Sequence, residues 1–100
     1  MLALDKYTSD IHRLCATHKV RHLYVFGSAL TDRYNAESDI DFVVDFEPID
    51  LSLYADNYYD LKFSLQDILH KPIDLLEQQA IRNPLLRESI DQQKKLIYCN

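Results

Sequence analysis

The chain has 100 residues, 47% of them hydrophobic, and a formal net charge of −5, which predicts one domain spanning residues 1–100 with a single core. The acidic balance argues against wrapping duplex DNA or RNA, and one glycine, three prolines and no low-complexity run argue against a linker or disordered tail. Cys15 and Cys99 are too few for a disulfide framework, no basic-then-apolar leader opens the chain, and no apolar run reaches membrane-spanning length, so a soluble cytoplasmic protein is expected.

Leu4, Tyr7, Ile11, Leu14, Cys15 and His18 recur at helical spacing and predict a first amphipathic helix. His22 to Phe26 reads as a short buried strand stopped by Gly27-Ser28, and residues 29–38 read as polar and irregular, with one helical turn at most. From Asp39 to Phe46 the chain alternates. Ile40, Phe42, Val44 and Phe46 point one way, and Asp39, Asp41, Val43 and Asp45 the other.

After Glu47-Pro48, Asp50 or Ser52 can cap a helix carrying Tyr54, Tyr58, Leu61, Leu65, Ile68 and Leu69, ending near His70 before Pro72. Ile73 to Leu76 reads as a third strand. Asn83-Pro84 offers an N-cap with proline at the first helical position, Leu86 and Ile90 give the following helix its stripe, and Leu96 to Tyr98 reads as a terminal edge strand. This order predicts a small α/β (α+β) sandwich, a mixed sheet with helices packed chiefly on one side.

The chain's one glycine ends the first strand, directly before a serine. Gly27 permits a sharp turn and close backbone approach to a ligand, and the following amides with the Ser28 hydroxyl can donate to phosphate oxygens; a plain turn fits the same pair. Asp39 and Asp41, two apart on a strand, project from one face, where their repulsion is relieved if they share a cation. Magnesium suits them, because it takes hard oxygen ligands and keeps waters and phosphates in its shell. A solvated acidic face is the alternative, and Asp45 further along shows that acidity there need not mean ligation. Asp74, inside an apolar strand, is costly to bury alone; beside the second strand it would face the same cations and could polarise an attacking hydroxyl, and a strand-end aspartate in water or in a salt bridge fits the same residue.

Taken together, Leu23-Tyr24-Val25-Phe26-Gly27-Ser28, ten residues, Asp39-Ile40-Asp41, and Pro72-Ile73-Asp74-Leu75-Leu76 in a later strand resemble the signature of the DNA polymerase β-like nucleotidyltransferase superfamily. The short chain is similar to the minimal nucleotidyltransferase (MNT) family, and the likeness covers most of its length. The resemblance implies that Gly27 and Ser28 hold the β- and γ-phosphates of ATP, that Asp39 and Asp41 bind two magnesium ions, and that Asp74 binds one of them and prepares the acceptor hydroxyl. It also implies a partner, a helical HEPN-domain toxin, which the MNT protein restrains as antitoxin by transferring AMP to a tyrosine. One departure weighs against efficient chemistry. Many members carry arginines after the Gly-Ser pair, whereas Ala29, Leu30, Thr31 and Asp32 precede Arg33 here, leaving Arg33 or Lys62 to compensate. The alternative function is therefore a nucleotide-binding module, weak or inactive in catalysis, that inhibits its partner by binding alone. A transferase acting on small molecules is disfavoured, because no second domain is present to shape a substrate pocket.

His12, His18, His22 and His70 share no metal-ligand spacing and are expected at the surface or at element boundaries. The Tyr54, Tyr58, Leu61 stripe is expected in the core, with Tyr59 left more exposed. Tyr59 and the segment through Tyr98 are candidate contacts for the partner.

Overall fold

The leading apolar stripe folds in two pieces. A 3-10 turn, Asp5–Tyr7, runs into α1, Thr8–Thr17, whose Ile11 and Cys15 are fully buried. The computed structural model describes residues 4–27 and 39–100; the loop expected over 29–38, with Ser28 and Arg33, lies outside them. Four strands form one sheet: β1 (Val20–Phe26), β2 (Ile40–Phe46), β3 (Ile73–Glu77) and β4 (Lys95–Cys99). Their order is β3-β2-β1-β4, with β1 antiparallel to both β2 and β4, and β2 parallel to β3. A parallel pair needs a long crossover, which α2, Leu51–Leu69, provides.

Local chemistry explains the boundaries. The Asp50 side chain accepts from the Ser52 amide at 3.0 Å and caps α2, and His70 closes it in the left-handed region at φ 56°. The short α3, Pro84–Gln93, starts with proline at its first turn and the Asn83 side chain accepting from the Leu85 and Leu86 amides. The first strand begins two residues before the expected His22, because Val20 pairs with Phe46 across an irregularity in the ladder.

One core lies between α1, α2 and a single sheet face. It gathers Ile11 and Cys15 with Leu61, Leu65 and Leu69, against Leu23, Val25, Ile40, Phe42, Val44, Ile73 and Leu75. Tyr54 and Tyr58 pack against it half-buried, as the α2 stripe predicted, while Tyr59 is exposed. Truncating a fully buried residue such as Leu61 to alanine costs roughly 2–5 kcal/mol.

His18 stands at an element boundary, one of the places expected for it, and is buried there. At the end of α1, its Nδ1 lies 2.7 Å from the Leu14 carbonyl and its Nε2 2.5 Å from an Asp60 carboxylate oxygen. The Asn57 side chain donates to its carbonyl at 2.8 Å, so His18 fastens α1 to α2, its polar nitrogens satisfied and its ring in the packing.

Candidate functional site

The side chains of the second sheet face follow from alternation. Ile40, Phe42, Ile73 and Leu75 point into the core, so Asp41 and Asp74 between them point away from it. The parallel ladder sets Asp41 directly opposite Asp74, on strands about 4.8 Å apart. Asp39 precedes β2 by one residue and is exposed, as is Asp74, whereas Asp41 is half-buried.

Asp41 registers the crowding. Burial, then the charge of Asp74, then that of Asp39, pushes its carboxyl above the usual carboxylate range. Of the five site residues expected from sequence, Asp39 and Asp74 therefore both act electrostatically on a third, Asp41. Gly27 is the fourth, and Ser28 lies outside the described residues.

Gly27 joins the group through β1. Phe26 pairs with Asp41, and the next residue, Gly27, turns away at φ 77°. A Cβ there would stand 2.7 Å from Oδ2 of Asp41, closer than real contacts allow. The group nearest such a Cβ is the Asp41 carboxylate. That contact depends on strand register, which no local motif announces.

The rest of this face separates the candidate site from other acidity. Val43 is buried between its strand partners Tyr24 and Leu76, and the Lys94 ammonium lies 4.2 Å from the Tyr24 ring centre. Asp45, on the same face, is buried and paired with His22 Nδ1 at 3.1 Å, so it is already partnered. Lys62 sits on α2, and among the described residues no ion pair joins it to Asp39, Asp41 or Asp74.

Among the described residues no group of three or more His, Cys, Asp or Glu is arranged to hold a metal by itself. Carboxylates gathered on one face, with the proton affinity of Asp41 raised, still fit a hard cation that completes its shell with phosphate and water, and Asp39, Asp41 and Asp74 are the residues that could hold it.

Comparison with known proteins agrees with this geometry. The family described as polymerase beta, nucleotidyltransferase matches residues 9–100. A Methanocaldococcus jannaschii protein named as a candidate protein adenylyltransferase is 33% identical over 81 residues, 81% of this chain and 78% of its own. Among solved structures, a candidate minimal nucleotidyltransferase superposes with a TM-score of 0.75 at 27% identity, covering 92% of this chain and 90% of that one. A complex described as a tri-AMPylated Shewanella oneidensis HEPN toxin with MNT antitoxin matches with a TM-score of 0.67 at 20% identity, covering 98% of this chain and 74% of that one, a likeness of fold. On the match across nearly its whole length, this chain belongs to the polymerase beta nucleotidyltransferase family.

Proposed function

We propose that this nucleotidyltransferase moves AMP from ATP to a hydroxyl, most readily a tyrosine, of a HEPN-type helical toxin, and so acts as its antitoxin. The observation that carries the reading is the register pair Asp41 and Asp74, with Gly27 making room for the Asp41 carboxylate. The named activity of the archaeal relative and the AMPylated toxin bound to an MNT antitoxin support the donor and the acceptor class.

In this reading Asp39, Asp41 and Asp74 hold two magnesium ions. Such ions supply charge neutralisation on the triphosphate and stabilise the attacking and leaving oxygens of an in-line displacement. Gly27 and Ser28 contact the β- and γ-phosphates. Asp74, exposed on the edge strand, accepts the proton of the incoming phenol, whose ordinary pKa near 10 makes it a poor nucleophile unaided. The new bond joins the acceptor oxygen to the α-phosphorus; the bond to the β-phosphate bridge breaks, and pyrophosphate leaves.

Position-specific labelling tests the reaction class. With magnesium and its HEPN-type helical partner, the protein should pass label from the α-phosphate of ATP to the partner and release γ-label as pyrophosphate. Label entering the partner from the γ-position would make the chain a kinase and end the proposal.

A further inference from the structure

We infer that Tyr58 and Gln66 of α2 are positioning residues for Asp74, gripping the backbone on either side of it along the open edge of β3. The inference rests on the proposed role of Asp74. Its ground is the direction of the peptide groups. β3 is an edge strand of five residues, paired among the described residues only with β2. The Pro72 carbonyl faces β2, where it accepts from the Ile40 amide at 3.1 Å. Peptide groups alternate along a strand, so those of Asp74 also face β2, and those of Ile73 and Leu75 face the open edge.

Edge groups left without partners allow a short strand to shift or fray. Here α2 supplies them. The Ile73 amide donates to Oε1 of Gln66 at 3.2 Å, and the Tyr58 hydroxyl donates to the Leu75 carbonyl. Ile73 and Leu75 are themselves buried, at 5% and 2% exposure, so few waters can replace either bond. Asp74 is thus the residue between two fastened neighbours, with its own peptide held by β2. The Tyr58 hydroxyl is kept protonated, and a donor, by burial first and then by Tyr59, Asp74 and Glu77. Gln66 and Tyr58 lie eight positions apart on one helix, so the grip spans a rigid strut rather than a loop.

A carboxylate misplaced by about 1 Å can lose on the order of a hundredfold in rate. Tyr58→Phe and Gln66→Leu should therefore lower kcat for AMP transfer to the helical partner about tenfold or more, with KM for ATP changed little. Gln66→Glu keeps an acceptor oxygen for the Ile73 amide and should restore most of the rate. In metal-free protein, hydrogen exchange at Ile73 should accelerate in Gln66→Leu and return toward wild type in Gln66→Glu. Asn57→Ala is the control, losing a bond from the same helix to His18 instead of to β3. An equal fall of kcat in Asn57→Ala at matched loss of Tm would trace the effect to general loosening and overturn the inference. Asp74→Asn separates the two ideas. If it slows transfer while Tyr58→Phe and Gln66→Leu do not, the positioning role fails alone; if Asp74→Asn transfers at the wild-type rate, the role of Asp74 fails and the positioning role with it. Should Tyr58→Phe not fold, the Gln66 pair decides.

Discussion

Replacing Gly27 by alanine should damage the candidate site far more than the fold. At φ 77° an alanine pays the left-handed penalty of about 1–2 kcal/mol, which at this chain length lowers Tm by about 4–16 °C. The added methyl would also stand 2.7 Å from Oδ2 of Asp41. That oxygen ends a side chain that can rotate, so the clash is relieved cheaply in stability but shifts the carboxylate from its place between Gly27 and Asp74. A displacement of this size should reduce AMP transfer on the order of a hundredfold. Thermal denaturation and initial transfer rates, both at a temperature where the variant is fully folded, separate the two effects. Leu61→Ala serves as comparison, since it should cost roughly 2–5 kcal/mol in the core yet keep its folded-state rate. If folded Gly27→Ala transfers AMP as fast as wild type, the close approach of Gly27 to Asp41 has no bearing on function.

Other outcomes follow from single groups. The carboxyl of Asp41 binds its proton more tightly in the folded chain than in the unfolded one, so metal-free stability should fall as pH rises from the usual carboxylate range through the raised value. Asp41→Asn should flatten that part of a Tm-against-pH curve, and magnesium should oppose the fall in wild type; an unchanged slope in Asp41→Asn refutes the coupling. His70→Gly should raise Tm by about 4–8 °C, since glycine removes roughly 1 kcal/mol of left-handed strain at the α2 C-cap; a lower Tm would mean the His70 side chain matters more than its backbone. Burial pushes the Cys15 thiol up to about 12, whereas Cys99 is exposed, so iodoacetamide should label one cysteine in the native protein and both in urea. Rapid native labelling of Cys15 would show the core opening.

The elements were legible because their signals are local. Asp50 caps α2, His70 closes it, and Asn83-Pro84 begins α3, each within a few residues of the expected place. Alternation along β2 announced that Asp39 and Asp41 share a face, and the apolar run around Asp74 announced a strand. Contacts between elements were not legible. His22 partners Asp45 across β1 and β2, His18 is buried between two helices, and Gly27 makes room for Asp41; each depends on register or helix docking. Tyr58 read as a core residue by its spacing, and nothing in the stripe showed that its hydroxyl reaches the β3 edge. Among the described residues no helix is long and apolar enough to cross a membrane.

Intact-mass spectrometry of the helical partner, read beside its toxic activity, tests the account most directly. After incubation with ATP, magnesium and the wild-type protein, the partner should gain whole AMP units on tyrosine and lose activity. Asp39→Ala with Asp41→Ala should leave its mass unchanged and its activity intact, and Asp74→Asn should add AMP far more slowly while still binding ATP. A partner silenced by the wild-type protein with no change in mass would contradict transfer and leave inhibition by binding alone.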